Sequence, residues 1–304
     1  MKKRVRLALG SLLVVLTALV FARYMSEHRS LLTVLRHVPL STLMWLFLLY
    51  GMWLGALVVI LWAILRICRR SVTPEENVLL NAYSTLINFF VPGQGGIAAR
   101  GIYLKRRHKL AIRTYVEAML LYYACYALLS TFLLLVTNRP IWQTAVGMAA
   151  AGGISFLVVR WYMKRSRVKT DGLNIHSKNL LYLGIATVLQ AVIQVAIYAV
   201  ELHSVNHAIT VGQAVTYTGA ANFALFVALT PGAIGIRESF LVFSQHLHHI
   251  STTDIVAASV IDRGVFMVFL GFLFLLTLGL HAKNRLSVNL PDTKRSTQPL
   301  KQEE

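Results

Sequence analysis

Long apolar runs, separated by short and strongly basic polar stretches, make up most of the chain. Runs near 5–22, 43–65, 114–136, 142–160, 180–202 and 255–280 each approach the roughly 20 residues a helix needs to cross a bilayer. Backbone polar groups inside lipid must be satisfied internally, so these runs predict an all-α polytopic membrane protein with six spans. Two further apolar regions, 78–104 and 214–247, are each interrupted near the middle by Pro-Gly. A lipid-facing helix does not tolerate such a break, and each half, at about 8 to 16 residues, is too short to span. Irregular backbone at membrane depth is allowed where it is buried in protein or lines a wet cavity. Both regions therefore read as re-entrant hairpins.

The remaining organisation is simple. Residues 1–282 read as one transmembrane domain, and 283–304 as a polar, disordered cytoplasmic tail. Met1 to Arg6 is basic and leads into an apolar run, as in a signal peptide. No small-x-small cleavage site follows before Arg23, so the reading is an uncleaved first span.

Composition agrees with a membrane domain, since 56% of the 304 residues are hydrophobic and 14% charged. A net charge of +18 would suit nucleic acid, but the basic residues lie in clusters between spans, where they orient a membrane protein. No nucleic-acid partner is expected. In the six-span arrangement 23 Lys and Arg fall on one side and four on the other, with Arg100, Arg237 and Arg263 embedded. That bias places both termini in the cytoplasm and the chain in the inner (plasma) membrane. The same parity makes the two hairpins enter from opposite faces. Their sequences support a repeat: Pro-Gly-x-x-Gly-Ile occurs at 92–97 and again at 231–236. Inverted repeats with broken helices are a recurrent transporter arrangement.

Candidate chemistry gathers at those two motifs. Pro92, Gly93, Gln94, Gly95 and Gly96 precede Arg100, while Pro231, Gly232, Ala233, Ile234 and Gly235 precede Arg237 and Glu238. Glycines let backbone N–H groups at a new helix start approach an anion, and an arginine at the same depth would suit a phosphate headgroup. The same residues also fit tight bends whose charged side chains snorkel. Arg263 falls near mid-membrane in the last span and needs a partner; Glu238 and Asp262 are the acids at comparable depth, and a Glu238–Arg263 pair would serve equally as structural glue or as a ligand clamp. Glu117 and Glu201 sit near span ends and read as interfacial. Tyr122, Tyr123 and Tyr126 read as packing aromatics.

Other chemistries are poorly supported. Two cysteines, Cys68 and Cys125, allow neither a disulfide framework nor a thiolate metal site. His246, His248 and His249 with Asp254 match no zinc spacing, and a polar loop accounts for them. No Walker, dinucleotide or Gly-x-Ser-x-Gly motif occurs, so neither an enzyme nor a bound cofactor is expected, and ion-gradient coupling or facilitated movement would replace ATP.

At its two hairpins the chain resembles the lysylphosphatidylglycerol synthase transmembrane-region family, also called flippase-like or YbhN-like, over roughly 5–280. Pro92, Gly93, Gly96 and Arg100 match the first family motif, and Pro231, Gly232, Gly235, Glu238 and Arg263 the second. Ile97 stands where the family usually has Glu, and Tyr122 and Tyr123 where a Glu-Arg pair is usual, which marks the first half as degenerate. The resemblance implies handling of an anionic or aminoacylated phospholipid, or of a polyprenyl-phosphate-linked lipid. The candidate ligand-binding residues are Arg100, Arg237, Glu238 and Arg263 with Gly93, Gly96, Gly232 and Gly235. Two other readings fit the same features: a secondary transporter of a small anion, and a non-transporting partner of a separate lipid-modifying transferase.

Overall fold

The computed structural model describes residues 38–91, 94–137, 139–165, 173–226 and 236–284. The expected first span at 5–22, the tail beyond 284, and the glycines Gly93, Gly232 and Gly235 lie outside the described residues. Among the described residues there are ten α-helices and no strands: α1 (Leu40–Ile67), α2 (Pro74–Phe90), α3 (Gly95–His108), α4 (Ile112–Leu135), α5 (Ile141–Arg165), α6 (Ser177–Val205), α7 (Val211–Phe226), α8 (Ile236–Phe243), α9 (Gln245–His248) and α10 (Thr252–Asn284).

Five of these helices, α1, α4, α5, α6 and α10, are long and apolar enough to cross a membrane. They coincide with the last five expected runs and extend each by a few residues. Their outward faces are apolar: Leu48, Val59, Phe156, Leu181, Val192 and Leu275 are all exposed, as suits side chains that meet lipid. Tryptophan marks the ends. Trp45 and Trp62 lie near the two ends of α1, and Trp142 and Trp161 near the two ends of α5, all exposed. Amphipathic indoles favour the headgroup level, so these pairs form two belts.

The short helices form two hairpins. Thr73 caps α2 by accepting from the Glu76 N–H at 3.3 Å, with Pro74 at the first helical position where its missing N–H costs nothing. The end of α3 returns to this start, because Glu76 accepts from Tyr103 at 2.7 Å and contacts His108 Nε2 at 2.7 Å. Burial pushes the Glu76 carboxyl up, but these hydrogen bonds and the nearby basic residues outweigh it and hold the group below its usual range. In the second hairpin, Gln213 near the start of α7 donates to the His249 carbonyl just beyond α9, at 3.2 Å. The bend of the first hairpin reaches the second: Gln94, in a left-handed conformation between α2 and α3, donates to the Leu225 carbonyl near the end of α7 at 3.5 Å.

Buried apolar residues form two clusters. One joins the first half of α1 to α6, α7 and α10; the other joins the second half of α1 to α3 and α4. Helix α5 packs chiefly on α4 and exposes most of its surface.

Candidate functional site

A cavity of about 290 Å³ lies at the seam between the two clusters, walled by α1, α2, α3, α4, α6, α7, α8 and α10. Arg100, Arg237 and Arg263, the three arginines expected to be embedded, all line it. Helical rise carries Arg100 one turn into α3, behind the Gln94 bend, while α10 carries Arg263 about 16 Å from its first residue.

The two halves treat their arginines differently. Arg263 donates to Glu238 at 2.8 Å, so the acid–base pair expected from the sequence forms and ties α8 to α10. Arg237 lies 2.5 Å from Asp262 and 3.9 Å from Glu238, and its guanidinium sits 5.7 Å from the Tyr198 ring centroid. The Asp262 contact is an ion pair by proximity rather than a well-directed hydrogen bond, and the buried Arg237 Nε has no hydrogen-bond acceptor among the described residues. Arg100 has no carboxylate partner among the described residues. It donates to the Tyr115 hydroxyl at 2.7 Å and the Asn81 carbonyl oxygen at 2.9 Å, with Met119 sulfur at 3.9 Å. Ile97 lines the same wall and supplies no charge.

Three expectations change. Glu201 is not interfacial: it is 1% exposed, beside the Tyr50 hydroxyl at 3.4 Å, because α1, α7 and α10 cover that face of α6. Glu117 is also buried, and Arg113 one turn before it donates to it at 2.9 Å. Gly96 serves packing. A Cβ there would fall 2.0 Å from the Ser84 carbonyl oxygen, and its N–H already donates to Asn88 at 2.7 Å rather than standing free for an anion.

The tyrosines expected to act as packing aromatics carry polar contacts into the cavity. Tyr122 donates to Gln190 at 2.9 Å, Tyr126 pairs with Gln194 at 3.3 Å, and Tyr123 donates to Gln94. Tyr122 and Tyr126 on α4, and Gln190 and Gln194 on α6, repeat at four residues, so two parallel helices form a two-rung ladder. That spacing of glutamines inside an apolar run was the signal available in the sequence. Asn81, Asn88, Ser84 and Thr85 add polar groups on α2, and Trp53, Phe89 and Phe266 add apolar surface. An aromatic, mostly uncharged chamber with arginines on two sides can hold an anion whose attached groups are part polar and part apolar.

The histidines are separate from this site. His248 is buried: its Nδ1 accepts from the Ile250 N–H at 3.2 Å, leaving Nε2 to donate to the Leu241 carbonyl at 3.0 Å, and burial lowers its pKa. His246 contacts the Phe243 carbonyl instead.

Comparison with known families finds a match over residues 6–279 to the family described as Lysylphosphatidylglycerol synthase TM region. Among curated proteins no match is found.

Proposed function

Because the chain belongs to the lysylphosphatidylglycerol synthase TM region family, a family of lipid-handling membrane proteins, we propose that it moves an anionic lipid across the inner membrane in the manner of a flippase. The lipid headgroup enters the central cavity while its acyl chains stay in the bilayer. The observation that carries this reading is Arg100, a cation on the cavity wall with no carboxylate beside it among the described residues. An embedded arginine is costly, and an anionic ligand offsets that cost. Arg237 offers a buried Nε with no hydrogen-bond acceptor among the described residues, and Glu238 orients Arg263 or meets a cationic aminoacyl group.

In this reading the paired short helices are re-entrant. The first hairpin has its open end beside the basic stretches 66–70 and 105–113 in the cytoplasm, and the second has its open end on the outer side. Both termini are cytoplasmic, and the protein performs transport rather than catalysis. A separate lipid-modifying transferase would supply or use the lipid.

Reconstitution tests this. Purified protein in liposomes is assayed for movement of headgroup-labelled phosphatidylglycerol, lysyl-phosphatidylglycerol and polyprenyl phosphate. Movement is expected to fall at least tenfold in Arg100→Gln and Arg263→Ala, a loss of about 1.4 kcal/mol or more of headgroup binding. Wild-type rates in both folded variants would sink the site assignment; no movement of any lipid by folded wild type would favour a soluble anion or the partner role.

A further inference from the structure

Behind the cavity two acids share one hydroxyl. Tyr50 on α1 donates to Asp262 on α10, and the same hydroxyl lies 3.4 Å from Glu201 on α6. Glu201 and Asp262 therefore meet at one buried hydroxyl. Glu201 has no ion pair with any described Lys, Arg or His, although it is 1% exposed. Asp262 is the acid that is paired, with Arg237 2.5 Å away.

Among the described residues the charges around this point do not balance. Glu201, Glu238 and Asp262 face two guanidiniums, Arg237 and Arg263. Around the pair, α1 adds Tyr50, α6 its own Tyr198, α2 Tyr83, which contacts Thr277 of α10, and α7 Tyr217, with His248 of α9 behind it at 5.5 Å between rings. From α4 come Tyr122 and Tyr126, farther along the cavity. None of these tyrosines is a cation. Two desolvated carboxylates that share one hydroxyl do not readily both ionise, and the proton favours the one without an ion pair among the described residues.

We propose that Glu201 and Asp262 form a proton-binding site, with Glu201 carrying the proton and Asp262 ionised in the state described. This deepens the transport reading and rests on it for its purpose, since the site adjoins the ligand chamber. Asp262, Tyr50 and Arg237 line the cavity, so an anionic headgroup that draws Arg237 toward itself leaves Asp262 short of positive charge. The acid pair then binds protons more tightly. By reciprocity, protons strengthen headgroup binding by the same factor, which couples movement of an anionic lipid to a proton gradient. The balance is simple: the proton enters from water, rests on a carboxyl oxygen and leaves to water, with no other bond made or broken.

The test is infrared spectroscopy of the full-length protein reconstituted in lipid, titrated from about pH 5 to about pH 9, a range that brackets neutrality above the ordinary carboxyl values. A protonated-carboxyl band is expected to persist at neutral pH in wild type and to be lost in Glu201→Gln. Absence of that band from wild type at neutral pH overturns the proposal whatever the variant does, as does a band that Glu201→Gln leaves unchanged. In the same liposomes an imposed pH gradient is expected to speed lipid movement by wild type severalfold; a wild type that moves lipid at one rate with or without the gradient overturns the coupling. Because the infrared band is read without transport, failure of the lipid-transport reading and failure of the proton site give different results.

Discussion

Arg237 is held by Asp262 on one side and by the face of Tyr198 on another, and is itself buried. Removing only one member of a buried ion pair strands the other charge, at a cost of about 3–5 kcal/mol. Asp262→Ala is therefore expected to lower the unfolding midpoint of the purified protein sharply, while the double variant Asp262→Ala with Arg237→Met recovers much of the loss. Additive losses in a double-mutant cycle would contradict the pairing. Arg100 lacks such a partner among the described residues, so replacing it is expected to change stability little and ligand binding much. The sequence announced all three arginines, because a charge inside an apolar run is costly and stands out. It did not announce Glu201, Gln190 or Tyr50. These residues acquire meaning only from the helices facing them, and Glu201 stands close enough to the end of α6 to resemble an interfacial acid.

Helix pairs depend on places where backbones touch. Besides Gly96 on α3, Gly219 on α7 would place a Cβ 2.4 Å from the Leu134 backbone nitrogen on α4. Gly96→Ala and Gly219→Ala are expected to cost about 1–3 kcal/mol each through overpacking. Gly51→Ala and Gly55→Ala, on α1 with nothing within 4 Å, are expected to be neutral or slightly stabilising. Thermal unfolding of the four variants compares them directly; equal behaviour would mean that the hairpins are not packed as described.

The base of the first hairpin should respond to acid. Its Glu76 carboxyl lies below its usual range, so the stability it contributes is present above the ordinary glutamate value of about 4.3 and is lost as pH falls through the lower folded value. The contribution is small, because the group is partly screened by solvent. Glu76→Gln should flatten the acid limb of a plot of unfolding midpoint against pH. Tyr103, raised to about 12 by burial and by Glu76, stays a hydrogen-bond donor throughout. The hairpins themselves were legible from Pro-Gly breaks between half-length apolar runs. Their contact through Gln94 and Leu225 was not, since no local pattern encodes a meeting between residues 131 positions apart.

For the molecule as a whole, the proposed opposed arrangement of the hairpins makes a topological prediction. In a background without Cys68 and Cys125, a single cysteine at Lys109 should react with an impermeant thiol reagent only from the cytoplasmic side, and one at His249 only from the outside. Labelling of both from one side would exclude the opposed arrangement. Five spans of the described fold could be read from apolar length alone, because lipid leaves a spanning helix little freedom of sequence. The cavity could not, as it exists only where eight helices leave a gap, and apart from its arginines its lining residues are unremarkable in their own segments.

The tryptophan belts bear on the surrounding bilayer. Trp45 and Trp62 stand about 25 Å apart along α1 at the standard helical rise, and Trp142 and Trp161 about 28 Å along α5. A typical hydrocarbon core is about 30 Å thick, and any tilt of the helices shortens the separation along the membrane normal further. Lipid next to the protein must compress to match. In the proposed transport that annulus is where a lipid would begin and end its passage, so the protein would lower the barrier from outside as well as from within, and its rate should fall in synthetic bilayers made from longer acyl chains.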